Sequence, residues 1–97
     1  LAQVDAVARR LWLRLETLIA DHPNVFEGVR GAGLMVGLQC VPENTAVVAK
    51  LAEGGLLTVA AGENVVRLVP PLIIDDGHVD EAIAIIEKAS VELAGEG

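Results

Sequence analysis

The sequence holds no tyrosine, one phenylalanine and one tryptophan, so aromatic residues make up only 2% of it. A core drawn from these 97 residues must be assembled from Val, Leu, Ile and Ala within a hydrophobic content of 53%. Basic residues are scarce as well: seven against fourteen acids leave a net charge of −7. That balance excludes nucleic acid as a partner, because neutralising phosphates takes a concentrated positive stripe. It argues against an anionic membrane for the same reason. No apolar run approaches the ~20 residues of a membrane span, and no basic-then-apolar leader is present. The lone cysteine, Cys40, has no partner for an internal disulfide, which fits a reducing, cytoplasmic location. A chain of this length makes one domain of modest stability. It begins at Leu1, inside a helical pattern and without an initiating Met, and reads as a piece of something larger.

What is present is a series of short periodic segments. Val4, Val7, Leu11, Leu15 and Leu18 recur at three and four residues, which predicts an amphipathic helix from about Gln3 to Ala20, stopped by Asp21-His22-Pro23-Asn24. Val25 to Arg30 and Leu34 to Val41 read as strands joined at Gly31-Ala32-Gly33. Asn44 offers an N-cap for a helix running to about Glu53 and ended by Gly54-Gly55, with Val47, Val48 and Leu51 inward. Leu56 to Ala60 and Val65 to Val69 make a second strand pair around Gly62-Glu63-Asn64. Asp75-Asp76-Gly77 opens a last helix with Val79, Ile83, Ile86 and Leu93 as its apolar stripe. The order predicts an α+β fold: a small, mostly antiparallel four-stranded sheet with about three helices packed on it.

Most polar residues have ordinary explanations. Gly31, Gly33 and Gly37 resemble part of a dinucleotide fingerprint, but Val36 fills the third glycine position and a strand follows where a helix is required. Arg9, Arg10 and Arg14 lie off the apolar stripe of the first helix and read as a solvated face, with Asp5 and Arg9 four residues apart. Asp75, Asp76, Asp80 and Glu81 cluster where helix N-termini attract acids, so they do not require a metal. His22 reads as an exposed helix end, Lys50 and Lys88 as solvated, and Cys40 as a small buried hydrophobe on the face of Leu34, Val36 and Leu38.

Arg67 does not fit so easily. Alternation in Val65 to Val69 puts Val66 and Leu68 on one face and Val65, Arg67 and Val69 on the other, so neither face reads as plainly solvated. A guanidinium between two valines needs an anion, and its planar fork suits a carboxylate held by two parallel hydrogen bonds. That carboxylate is either an internal acid such as Glu27, Glu63 or Asp75, or a bound ligand. Pro70-Pro71 then ends the strand without a backbone donor.

Three blocks taken together resemble the C-terminal end of class III pyridoxal-phosphate aminotransferases. They are Val29-Arg30-Gly31-Ala32-Gly33-Leu34-Met35-Val36-Gly37, Gly54-Gly55-Leu56-Leu57, and Asn64-Val65-Val66-Arg67-Leu68-Val69-Pro70-Pro71-Leu72-Ile73-Ile74. Within that family the acetylornithine group is the most similar, with the ornithine, succinylornithine and 4-aminobutyrate enzymes as alternatives; Gln39 stands where many relatives have an acid. The resemblance implies that residues 1–97 form the C-terminal small domain of an aminotransferase, with Arg67 matching the arginine that grips the substrate α-carboxylate. It implies pyridoxal 5'-phosphate in the full-length enzyme, amino-acid and 2-oxo-acid substrates, packing against the protein's own large domain, and a homodimer. The lysine that carries the cofactor would lie in the large domain, so this chain alone is expected to bind no cofactor and to be inactive. An apolar face should be left open for that large domain, with Trp12 a candidate member. A stand-alone module in which Arg67 binds a carboxylate metabolite is the reading from another class.

Overall fold

The three- and four-residue periodicity of the first segment becomes α1 (Ala2–Asp21) in the computed structural model, which describes residues 2–69 and 75–96. Its buried stripe is Val7, Leu11, Leu15 and Leu18, as the spacing requires. The helix ends where Pro23 follows, and the carbonyl of His22 accepts the N–H groups of Val25 (3.0 Å) and Phe26 (3.1 Å). That tight turn delivers the chain into β1 (Phe26–Ala32).

β1 and β2 (Met35–Cys40) form an antiparallel hairpin closed by Gly33-Leu34 rather than by the whole Gly31-Ala32-Gly33 stretch. The strand runs on through Ala32 because Gly31, at φ +109°, pairs closely with the partner strand; a Cβ there would stand 1.9 Å from the carbonyl oxygen of Met35. Next come α2 (Asn44–Glu53), β3 (Thr58–Ala61), a single 3-10 turn at Gly62–Asn64, β4 (Val65–Leu68) and α3 (Asp76–Glu96). At the end of α2, the Leu56 N–H reaches back to Leu51 O while Gly55 takes a positive φ, which satisfies carbonyls the helix would otherwise leave open. The sheet order is β1-β2-β4-β3 with every neighbour antiparallel. The α+β expectation of four antiparallel strands and three helices therefore holds.

All three helices bury their stripes against one face of the sheet. Val36, Leu38 and Cys40 of β2 and Val66 of β4 meet Leu15, Leu51, Val79 and Ile86 in a single core. The opposite face has no covering layer among the described residues.

Several side chains depart from the sequence reading. Asn44 does not cap α2: Glu43 occupies the cap position, while the Asn44 amide donates to Ala61 O (2.8 Å) and Val65 O (3.1 Å). Asn64, at φ +64°, answers from the other side. Its oxygen accepts the Asn44 N–H (2.8 Å), and its amide donates to Cys40 O (2.9 Å) and Pro42 O (2.8 Å). The two asparagines thus tie the β3–β4 turn to the link between β2 and α2. Arg10 and Arg14 are not merely solvated, because both pair with Asp80 of α3 and Arg10 also approaches Asp76 at 3.5 Å. Lys50, with only 16% of its side chain exposed, lies 3.9 Å from Glu53 and 3.8 Å from Glu92. His22 is 14% exposed and bonds Glu87 at 2.8 Å, so it joins the end of α1 to α3 instead of facing water. Pro70-Pro71 and residues 72–74 lie outside the described residues.

Candidate functional site

β4 carries Arg67, and strand alternation decides where it points. Val66 is fully buried against the helices, so Val65, Arg67 and Val69 occupy the uncovered face. Arg67 is exposed. The difference from the sequence reading has a plain cause: its face is apolar because it is an open sheet surface, not because it is a second core. Among the described residues no carboxylate or other acceptor pairs with the guanidinium, so Glu27, Glu63 and Asp75 leave it unsatisfied within the chain. Asp75 instead caps α3 through the His78 N–H at 3.0 Å, and that bond holds its carboxyl below the usual range.

The cross-strand register sets Arg67 in a row. Arg67 pairs with Gly37 of β2, Gly37 pairs with Arg30 of β1, and on the other flank Val59 of β3 pairs with Arg67. Arg30 is exposed and likewise has no partner for its guanidinium among the described residues. Both arginines line one concavity of about 480 Å³, with Gly37 as its floor and Glu63 on its rim at the β3–β4 turn. A Cβ at Gly37 would stand 2.9 Å from Val65 Cγ1, so the glycine lets the two strands meet without filling the trough. Chemically the trough is an anion-binding surface with two forked donors.

The sequence reading did not single out Arg30. Its spacing held the signal: a two-residue turn at Gly33-Leu34 pairs Ala32 with Met35 and therefore Arg30 with Gly37, whereas a turn placed at residues 31–33 loses that pairing. Apolar side chains surround the arginines, with Met35 69%, Val59 53% and Val69 53% exposed; Leu57, at 73%, is more open still. An open apolar surface therefore exists on the sheet. Trp12 is not its centre, since it is half-buried against the core and its Nε1 donates to Gly33 O at 2.6 Å.

No other cluster among the described residues resembles a reaction centre. No group of three or more His, Cys, Asp or Glu is placed to hold a metal. Cys40 is buried, and removal from water pushes its thiol up to about 11, far from a reactive thiolate. Asp80 is held below the usual carboxylate range, first by its hydrogen bond from Arg10 and then by Arg14. No described helix is long and apolar enough to cross a membrane. Lys50 and Lys88 both line a cleft between α2 and α3, in the helix layer behind the sheet.

Residues 1–90 match the family profile described as aminotransferase class-III. The acetylornithine aminotransferase of Brucella melitensis is 42% identical over 91 residues, covering 94% of this chain and 23% of that protein. The mitochondrial acetylornithine aminotransferase of Saccharomyces cerevisiae is 40% identical over 89 residues, or 92% of this chain and 21% of that protein. Among solved structures, an N-acetylornithine aminotransferase from Stenotrophomonas maltophilia superposes with a TM-score of 0.86 at 30% identity, covering 99% of this chain and 27% of that one. An ornithine delta-aminotransferase of Plasmodium falciparum gives a TM-score of 0.88 at 26% identity, covering 98% and 25% of the two chains. The chain thus spans roughly a quarter of the length of the relatives it matches.

Proposed function

This chain belongs to the class-III aminotransferases, and on that premise we propose that residues 1–97 are the C-terminal small domain of an enzyme that transfers the amino group of N-acetylornithine to 2-oxoglutarate. Arg67 is its contribution to the substrate site, gripping the α-carboxylate. The observation that carries this reading is an exposed arginine on an open sheet face with no carboxylate to satisfy it among the described residues. An unpaired fork on a rigid strand is preorganised for a carboxylate, since the backbone ladder fixes its origin and little freedom is lost on binding. The names of the relatives support the choice of donor.

The residues of this chain do not fit pyridoxal phosphate by themselves. The family's chemistry needs a lysine at the cofactor, whereas Lys50 and Lys88 lie in the helix layer and neither lines the arginine trough. The cofactor, which stabilises the negative charge that develops at the reacting carbon, belongs in this reading to the large domain. The small domain supplies binding and orientation: holding the carboxylate at Arg67 fixes the reacting carbon relative to groups across the domain boundary, so a misplacement costs rate as well as affinity. The open apolar surface around Met35, Val59 and Val69 is where the large domain packs and excludes water. The full-length enzyme is cytoplasmic and homodimeric in the same reading.

The test is an absorbance scan of the protein expressed from the complete gene, followed by N-acetylornithine without a 2-oxo acid. A visible cofactor band that bleaches is the expected result. A band indifferent to this donor moves the substrate to another ω-amino acid, and no band after pyridoxal phosphate is supplied rejects the aminotransferase reading.

A further inference from the structure

We propose that Arg30 is a second anion-gripping residue of the same site, taking the distal carboxylate of a dicarboxylic 2-oxo acid whose α-carboxylate Arg67 holds; this rests on the role of Arg67 given above. Three observations place it there. Register puts Arg30, Gly37 and Arg67 in one cross-strand row, and residues opposite one another on adjacent strands project from the same face. Each arginine is exposed with no described partner, and both line the same concavity of about 480 Å³. Between them lies a glycine, so no side chain divides the trough.

The dimensions suit a short diacid. Two strand spacings separate the Cα atoms of Arg30 and Arg67 by roughly 9.6 Å. The two carboxyl carbons of an extended five-carbon diacid stand about 5 Å apart, judged from carbon–carbon bond lengths. One carboxylate can therefore meet each fork, with the chain of the acid lying over Gly37. A single guanidinium cannot take both ends of such a molecule in bidentate fashion, and two guanidiniums with no anion between them repel each other. A monocarboxylic 2-oxo acid fills only the Arg67 half. Arg30 is thus the residue by which the acceptor's second charge is read. Glu63 on the rim forms no ion pair with either arginine among the described residues, so the positive charge of the row is not neutralised from within.

The experiment uses the full-length enzyme and compares 2-oxoglutarate with pyruvate as acceptor. In a two-step exchange, kcat/KM for the acceptor reports only the half-reaction that consumes it. In Arg30→Gln the ratio of kcat/KM for 2-oxoglutarate to that for pyruvate should fall about 10- to 100-fold, the size expected for losing a charged hydrogen-bond pair. Arg30→Lys should recover part of that ratio, and Arg67→Gln should lower both acceptors together. A ratio in Arg30→Gln equal to the parent's overturns the proposal, including the case where both acceptors are lost in proportion, which marks a folding role. A full-length parent that transaminates neither acid overturns the Arg67 reading, and this one with it.

Discussion

At Arg67 the useful property is the planar fork rather than the charge alone. Lysine keeps the charge and loses the two parallel donors. Arg67→Lys in the full-length enzyme should therefore lower kcat/KM for the amino-acid substrate roughly 10- to 100-fold, or about 1.5–3 kcal/mol; steady-state kinetics matching the parent would reject the carboxylate role. Cys40 offers a test of the core. Its thiol holds its proton up to about 11 against an ordinary 9.0, because ionising it means charging a buried atom. Folded protein at pH 8 should react slowly with an aromatic disulfide reagent, and unfolded protein quickly. Above pH 9.0 the unfolded chain loses a proton that the folded chain keeps, so stability should decline between there and about pH 11 and should not decline in Cys40→Ala. Both residues were legible in the sequence as types: an isolated charge in an apolar strand, and a small hydrophobe on a core face. Whether Arg67 faced an acid of its own chain was not legible, since that depends on where Glu27, Glu63 and Asp75 end up.

Among the elements, β4 is the one whose placement matters most, and two asparagines fix it. The Asn64 side chain bonds Asn44, Cys40 and Pro42 from a residue at φ +64°, an arrangement that Asn tolerates and Ala does not. Asn64→Ala should lose about 1–3 kcal/mol from the broken bonds, and Asn64→Gly should lose less, because glycine accepts the backbone angle. Urea midpoints at constant slope are the measurement; if the glycine variant matched the parent, the brace would contribute nothing. Strand and helix types followed from periodicity, since Val7, Leu11, Leu15 and Leu18 can only be gathered on one side by a helix. The Asn44–Asn64 lock did not, because both residues also suit caps and turns, and only the meeting of segments twenty residues apart selects the cross-brace.

For the whole molecule, the decisive feature is one covered and one open sheet face. The isolated chain presents Met35, Val59 and Val69 to water, and a surface of that kind drives self-association when its natural cover is absent. Sedimentation of the isolated domain should show mass rising with concentration, and Val59→Glu should suppress the rise; a monomer at all concentrations would mean the face is too small to matter. The ion pairs of Arg10 and Arg14 with Asp80, and of His22 with Glu87, join α1 to α3 on the helix side and leave the open face untouched. Local pattern determined much by itself: the helices, the strands, the composition of the core and the oddity of Arg67, because three-and-four spacing, alternation and turn chemistry act within a few residues. Only the tertiary structure decided which sheet face was left bare, that β2 pairs with β4, and that Arg30 and Arg67 therefore share a row. Those are outcomes of pairing between distant segments, fixed by which faces bury together and not by any one segment's own preference.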